Sequence, residues 1–168
     1  SSAASDVYKR QVVPWLSPEN AARFVQTVKS LGVHFTLLTN DASYGDTVYP
    51  KLAGAAADGS ISAELSALVT PNAGLQSYQQ KYQAQFNAAP DIYGEQTYDS
   101  IMMLAQAIRT THSTNPATIR DAMEKMTNYQ GITGILGFSA SQHESIGPES
   151  LTFIRLDAAS GKWNTFTP

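Results

Sequence analysis

The fold is decided by the segment TYDSIMMLAQAI at residues 97–108, together with the segment GITG at residues 131–134. In the first segment apolar residues recur every three or four positions, which predicts a helix with one apolar stripe. The members of this stripe are Tyr98, Ile101, Met102, Ala105 and Ile108. Asp99 is expected near the start of the helix, where a carboxylate is favourable. Gly131 and Gly134 lack the strand-to-helix context of a phosphate loop and are interpreted as turn glycines.

Two further helices flank this segment. The earlier one presents an apolar face and ends before Pro90, because the residue before a proline avoids helical dihedral angles. Its face consists of Leu75, Tyr78, Tyr82 and Phe86. The later helix begins at Asn115-Pro116, and its inward positions are Ile119, Ala122, Met123 and Met126. Three successive helices are therefore expected to cover another layer of the protein.

Strands and helices alternate before this helical region. Val12-Val13 is predicted to end a buried strand, and Ser17-Pro18-Glu19 supplies a capping hydroxyl, a proline and an acid that begin a helix. Apolar residues recur in it every three or four positions, at Ala21, Phe24, Val25, Val28 and Leu31, and Gly32 is expected to end it. Strands are predicted at Phe35–Leu38 and around Ile61. Between them a weaker helical pattern runs through Val48, Leu52 and Ala55. The alternation predicts a parallel sheet with helical crossovers.

The end of the chain is β-like, with strands predicted at Ile135–Phe138, Leu151–Leu156 and Trp163–Phe166. At the other end, residues 1–11 (SSAASDVYKRQ) resemble translated sequencing-adapter read-through and are expected to be a non-native or disordered leader. An ordinary flexible N-terminus remains an alternative. Under the adapter interpretation the native sequence begins near Val12, and an upstream half of the reading frame is missing.

Composition excludes several classes of function. The 168-residue chain has a formal net charge of −3 and no Lys or Arg run, so neither nucleic acid nor an anionic membrane surface is an expected partner. No apolar run approaches the roughly 20 residues that span a bilayer, so no membrane insertion is expected. The chain has no cysteine, and His34, His112 and His143 are too widely spaced for a metal pair and are expected at the surface. With no Gly-x-Ser-x-Gly motif either, we expect no metal, no cofactor and no enzyme.

From Val12 onward the chain resembles the C-terminal half of the branched-chain amino acid and amide family of periplasmic, or extracellular, solute-binding proteins of ABC transporters. The resemblance rests on an ordered set of short motifs. These are Ser17-Pro18-Glu19 with Leu31-Gly32, Leu52-Ala53-Gly54 with Asp58-Gly59, Thr97-Tyr98-Asp99-Ser100 with Ala105-Gln106-Ala107-Ile108, Gly131-Ile132-Thr133-Gly134, and Gly161-Lys162-Trp163. It implies a partial bilobal α/β fold of the type I periplasmic-binding-protein class. The lobes would have parallel sheets with flanking helices, and the chain would finish in a C-terminal β segment.

The resemblance also implies a division of the chain and a function. Residues 12–65 would form a second-lobe α/β segment, residues 66–149 a first-lobe helical segment, and residues 150–168 a return to the second lobe. A small amino acid or amide-like solute would be held in the interlobe cleft, trapped by hinge closure and delivered to an ABC transporter permease. The location would be periplasmic or extracellular, with lipid anchoring through the missing N-terminus left open.

Two other functions remain as alternatives. The first is a ligand-sensing domain of a receptor or transcriptional regulator, because the same fold can signal instead of transporting. The second is a stand-alone α/β enzyme, which would need a convergent acid–base pair in its cleft.

The resemblance implies three ligand contacts on the second lobe. Asp41 follows the strand that ends at Thr39 and matches the family position whose carboxylate faces the ligand ammonium. An Asx turn or a helix cap would explain Asp41 equally well. Trp15 and Leu16 follow the first strand, where relatives place an aromatic ring against the ligand. Which of the two points inward is open, and the ring could instead anchor its loop on the lobe.

Two contacts are implied on the first lobe. Tyr93 corresponds to a family aromatic residue that lines the cleft, and Glu95 lies close to it in the sequence. For Glu95 the preferred interpretation is a solvated acid in the first turn of a helix.

Overall fold

The structure is a computed structural model that describes residues 11–40 and 48–167. The chain divides into two compact units. Ser1–Glu64 with Thr152–Pro168 is called the sheet unit, and Leu65–Leu151 is called the helical unit. The first division, after Glu64, lies one residue from the boundary expected after residue 65. The second division, after Leu151, lies two residues from the boundary expected after residue 149. Which lobe of a whole receptor each unit forms stays a prediction.

Strands and helices alternate at first: β1 (Gln11–Val12), α1 (Pro18–Ser30), β2 (Thr36–Thr39), α2 (Val48–Ala53), a 3₁₀ turn (Gly54–Ala57) and β3 (Ile61–Leu65). Four helices follow in the described chain: α3 (Ser66–Val69), α4 (Ala73–Phe86), α5 (Ile92–Thr111) and α6 (Pro116–Met123). The last part contains β4 (Tyr129–Gln130), β5 (Ile135–Leu136), a 3₁₀ turn (Pro148–Ser150), β6 (Leu151–Asp157) and β7 (Lys162–Phe166).

The main sheet has the strand order β1-β2-β3-β6-β7. β1 and β2 are parallel, with Val12 opposite Leu37, and β2 and β3 are parallel, with Thr39 opposite Ser62. The helices between these strands are the crossovers that parallel pairing requires, which confirms the predicted α/β class. β6 and β7 form an antiparallel pair at the end of the sheet. β1 includes Gln11, one residue before the expected start of the native part.

α1 begins and ends where the sequence predicts. Ser17 has extended dihedral angles at the N-cap, although its hydroxyl makes no capping hydrogen bond, and Gly32 has the left-handed φ of 69° that favours glycine. The helix buries Ala21, Ala22 and Val25. Leu31, the last of the recurring apolar positions, is 71% exposed. The reason is that Leu31 is already the C-cap residue, beyond the helical face.

The core of the sheet unit lies where α1 and α2 pack on the sheet. Tyr49 is fully buried there, with its hydroxyl 2.7 Å from Ser60 Oγ and its ring stacked 6.4 Å from the Trp163 ring. The predicted helical pattern is observed, but Leu52 is half exposed, whereas Tyr49 and Ala53 are buried. The helix is short and continues as a 3₁₀ turn after Ala53. The side of α2 that packs into the core is therefore the side that carries Tyr49.

Side-chain caps start the helices of the helical unit. Asn72 Oδ1 accepts a hydrogen bond from Leu75 N (2.9 Å) before α4, and Asp91 Oδ1 accepts one from Gly94 N (2.7 Å) in α5. Asn115 begins α6 in the same way, as the sequence predicts. Each cap satisfies a backbone donor that the first turn of a helix leaves open.

The buried face of α5 is not the predicted stripe. Its buried residues are Ile92, Glu95, Asp99, Met103 and Ala107. Tyr98 and Ile101, two members of the predicted stripe, are 38% and 58% exposed. At about 100° per residue, the centre of the buried face lies about 140° around the helix from the centre of the predicted stripe, and so on nearly the opposite side. The reason is that Asp99 forms hydrogen bonds within this unit, and these hold its own face inward.

Candidate functional site

The carboxyl ends of β2 and β3 carry buried polar residues. Because the two strands are parallel, their carboxyl ends lie at one edge of the sheet, which is where open α/β sheets bind ligands. Thr39 ends β2 and Asn40 follows it, while Ser62, opposite Thr39, and Glu64 lie in β3. Each of the four is at most 9% exposed. Buried polar groups in strands are uncommon and mark this edge as the candidate site.

Sequence reasoning missed Ser62 and Glu64. The available signal was an acid inside the apolar strand Ile61–Leu65, since a charged residue is rarely buried without a partner. Thr39 was named only as the end of a strand. Its hydroxyl donates to Ile61 O at 3.2 Å and so ties β2 to β3 at this edge.

The structure separates the roles of Trp15 and Leu16. Leu16 is partly buried and packs against the core of the sheet unit. The Trp15 side chain is 79% exposed, three residues beyond β1. The alternative in which Trp15 anchors its loop on the lobe is therefore wrong, and Leu16 is the residue that anchors it. An exposed indole near the carboxyl end of β1 favours Trp15 over Leu16 as the ligand contact, which stays a prediction.

Asp41 lies outside the described residues. The last described position before it is Asn40, which directly follows β2 and is buried. The proposed ammonium contact of Asp41 therefore stays a prediction that rests on the resemblance.

Tyr93 and Glu95 both lie in the first turn of α5, within the helical unit. Tyr93 is 54% exposed, whereas Glu95 is only 4% exposed. Positions two apart on a helix point in different directions, so the two side chains do not share a face. Tyr93 is accessible to a ligand, and its ligand contact remains a prediction.

Glu95 is a buried acid, so its interpretation as a solvated first-turn acid is wrong. Gln79 Nε2 of α4 donates to Glu95 Oε1 at 2.8 Å. Burial raises the pKa of the Glu95 carboxyl above its ordinary value, the hydrogen bond from Gln79 opposes this rise, and the charge of Asp91 adds to it. The carboxylate thus contacts α4, which gives Glu95 a role in packing these two helices.

Residues 97–108 and 131–134 are joined by one buried polar contact. The Asp99 carboxylate accepts hydrogen bonds from Ile132 N (2.9 Å), Thr133 N (2.8 Å) and Thr133 Oγ1 (2.6 Å). A Cβ at Gly131 would lie 2.5 Å from Asp99 Oδ2, so only glycine lets the loop approach this closely. Asp99 lies in the second turn of α5 and beyond its first-turn donors, so its expected role at the helix start is wrong.

Other chemistry is not supported by the part of the chain that the structure describes. Within residues 11–40 and 48–167, no three His, Cys, Asp or Glu side chains are placed to hold a metal ion. The three histidines are exposed, as expected, and His143 Nε2 lies 3.1 Å from Glu124 Oε1. Among the described helices, none is both long and apolar enough to cross a bilayer.

Solved structures similar to this chain share its fold. The leucine-binding protein LivK of Thermotoga maritima superposes on 99% of this chain with a TM-score of 0.78 and 17% identity, using 46% of its own length. LivJ of Streptococcus pneumoniae, solved with isoleucine, covers 100% of this chain and 48% of its own with a TM-score of 0.73 and 19% identity. A type 1 periplasmic binding protein of Bordetella pertussis gives 0.78 at 20% identity, covering 95% and 46%. The chain thus spans about half the length of these proteins.

The sequence itself identifies the family. The family model described as periplasmic binding protein matches residues 2–162, while no curated protein sequence matches significantly. The match begins inside residues 1–11, whose interpretation as a leader stays a prediction. The structural likeness and this match confirm the fold and the resemblance that the sequence motifs indicated. The chain therefore belongs to the periplasmic binding protein family.

Proposed function

We propose that this chain forms part of a two-lobed receptor that captures a small amino acid or amide-like solute and delivers it to an ABC transporter permease, in the periplasm or outside the cell. The observation that carries the proposal is the polar carboxyl edge of the parallel sheet, with Thr39, Asn40, Ser62 and Glu64 buried along it. Ligands of open α/β sheets bind at such an edge. No step in this function converts the solute.

The side chains near this edge suit an amino acid. The exposed indole of Trp15 offers an apolar face for a side chain, and we assign Asp41 to the ammonium group. LivK is named as a leucine-binding protein, and LivJ was solved with isoleucine. These names support an aliphatic amino acid as the first ligand to test. We assign Tyr93 to the opposite side of the solute.

The test uses this chain joined to the expected upstream half, because the chain spans only 46% and 48% of the length of LivK and LivJ. Thermal unfolding is measured with a panel of amino acids and neutral amides, because a ligand that binds only the folded state raises its stability by about 2.7 kcal/mol at 100 times Kd. We expect at least one panel member to raise Tm. A Tm unchanged by every member would refute solute capture of this class.

Asp41→Ala sharpens the assignment within the same protein. Its affinity for amino acids should fall by about tenfold or more, while its affinity for neutral amides should change little, since only the ammonium needs the carboxylate. Glu144→Ala, at an exposed position of the helical unit, is the matched control and should leave both affinities unchanged. Equal losses for amino acids and amides would rule out the ammonium contact.

A further inference from the structure

The helical unit contains an open apolar cavity between α6, the loop after β5 and one side of α5. Its volume is about 440 Å³, within the roughly 300–1,000 Å³ of sites for small organic molecules. The apolar walls are Leu104, Pro116, Ile119, Met123 and Phe138. The polar side chains that line the cavity are Arg120, Glu124 and His143. Apolar walls with a few polar groups are typical of small-molecule sites.

The sequence of α6 explains one apolar wall. Ile119 and Met123 are four residues apart and therefore lie on the same side of the helix. Both side chains are only half-buried, and α6 as a whole has no buried residue. The apolar side of α6 is thus not filled by other side chains of its own unit, and it borders the cavity instead.

The opposite wall is fixed by backbone contacts of the loop after β5. Phe138 N donates to Met126 O at 2.7 Å, and Gly137 N donates to Ser145 O at 2.9 Å. A Cβ at Gly137 would lie 2.8 Å from Thr127 O, so only glycine lets the loop approach this closely. The Phe138 ring is therefore held in place before any ligand arrives. A cavity formed in advance loses little conformational entropy on binding.

The polar end of the cavity carries more negative than positive charge. Glu124 Oε1 lies 3.1 Å from His143 Nε2 and 4.0 Å from Arg120 Nε. The Arg120 guanidinium also contacts Asp121 Oδ1 at 2.5 Å. One guanidinium thus serves two carboxylates, which leaves one negative charge in excess while His143 is neutral. The Glu124 side chain is only 22% exposed, and partial burial strengthens its attraction to a cation.

We propose that this cavity binds a small organic amine. The apolar body of the amine lies against Ile119, Met123 and Phe138, and its ammonium donates to the Glu124 carboxylate. A carboxylate accepts several hydrogen bonds, so Glu124 keeps its contact with His143. This site goes beyond the solute capture proposed above, because the helical unit alone supplies its walls. The other possible occupants of the cavity are the upstream half of the receptor and a second copy of this chain.

Three probes that share one ring test the class of ligand. Phenethylamine is a cation, phenethyl alcohol is neutral and hydrocinnamate is an anion. Binding to this chain joined to its upstream half is titrated by ligand-observed NMR on the ring protons. We expect phenethylamine to bind with a Kd of about 1 mM or below. The alcohol should bind about tenfold more weakly, because it lacks the charge-assisted hydrogen bond, and the anion more weakly still.

Two variants locate the amine. Glu124→Gln keeps the shape of the side chain and removes its charge, so it should weaken phenethylamine binding by about tenfold and leave the alcohol nearly unchanged. Ile119→Trp fills the cavity and should abolish binding of both probes. Glu19→Gln, at an exposed position of α1 in the sheet unit, is the matched control and should change neither affinity. Circular dichroism and Tm establish that each variant is folded.

Three results would overturn the proposal. Equal binding of the amine and the anion would remove the role of charge, and an unchanged phenethylamine affinity in folded Glu124→Gln would place the amine elsewhere, including at Asp41. Absence of phenethylamine binding to the folded joined protein, or binding that weakens as protein concentration rises, would assign the cavity to the upstream half or to a second copy. Failure of the solute panel to raise Tm would leave the Glu124-dependent binding intact, so the two proposals fail separately.

Discussion

β6 of the sheet unit and α5 of the helical unit bury different kinds of side chain, because the buried face of α5 combines apolar residues with two carboxyl groups. In the sheet unit the most buried strand positions are Ile154 and Leu156, at 0% and 1% exposed, and Leu156 lies in the core with residues of α1 and α2. In the helical unit the inner face of α5 contains Glu95 and Asp99, while Ile101 is open to water. Truncating an apolar side chain should therefore lower stability far more in β6 than on the exposed side of α5.

A matched pair of truncations should show this contrast most strongly. Leu156→Ala should lower the free energy of unfolding by about 3 kcal/mol, whereas Ile101→Ala in the 168-residue chain should change it by less than about 0.5 kcal/mol. Urea unfolding checks this. Tryptophan fluorescence reports on the sheet unit, which contains both Trp15 and Trp163, and far-UV circular dichroism reports on the helices as well. Similar decreases in the free energy of unfolding for the two variants would contradict the contrast between β6 and α5.

The next largest effect is expected at Asp99. Asp99→Ala should destabilise the helical unit by about 2 kcal/mol, because three donors from Ile132 and Thr133 lose their acceptor in a buried place. Asp121→Ala, on the exposed side of α6, is the control and should have little effect. Urea unfolding is followed by circular dichroism at 222 nm, which reports on helix content. Asp99→Ala should shift the midpoint of the transition to lower urea concentration. An unshifted transition would show that the loop does not depend on this carboxylate.

Replacing Glu95 should have a smaller effect on the free energy of unfolding, and this effect should be stabilising at neutral pH. Its pKa is raised in the folded chain, so between the ordinary value of 4.5 and the raised value the folded state binds more protons than the unfolded state. Stability from this group is present at low pH and is lost as pH rises through that window. Glu95→Gln keeps an oxygen for Gln79 and removes the charge, so it should stabilise the chain at neutral pH but not below the window. Urea unfolding at a series of pH values measures the difference, and a pH-independent difference would contradict it.

The smallest effect is expected at the edge of the main sheet. The Arg155 guanidinium lies 3.8 Å from the centre of the Phe166 ring across the β6–β7 pair. Arg155→Met keeps most of the stem and removes the cation, so it should lower the stability of the sheet unit by about 0.5 kcal/mol. Thermal unfolding followed by tryptophan fluorescence measures this, with Arg155→Lys as the variant that retains the charge. If Arg155→Met is as stable as the parent chain, the ring contact contributes nothing.

Most elements of the fold could be predicted from local signals. Ser17-Pro18-Glu19 and Gly32 bound α1 because proline and glycine act through their own dihedral angles, whatever surrounds them. The alternation of strand and helix likewise determined the parallel pairing of β1, β2 and β3. These are properties of neighbouring residues in the chain.

The errors fell on side chains whose direction depends on distant partners. Asp99 turns inward because of a loop more than thirty residues away, and this contact rotates the whole of α5. Glu95 is buried because Gln79 approaches it from another helix. The sequence does not show whether Trp15 or Leu16 points inward. The structure does, because Leu16 packs against the core of the sheet unit. Periodicity gives the apolar side of a helix, but not whether that side is covered.

The contact between Asp99 and Ile132 also determines where the helical unit can tolerate change. It joins positions 33 residues apart and encloses α6, which has no buried residue, in a closed loop. The entropy of closing such a loop grows only slowly with its length, so residues added near its exposed turns cost little once the ends are tied. The segment around His112 and Ser113, between α5 and α6, is thus the place to insert a reporter peptide. The unit would keep its fold there because the Asp99 hydrogen bonds hold both ends of the loop.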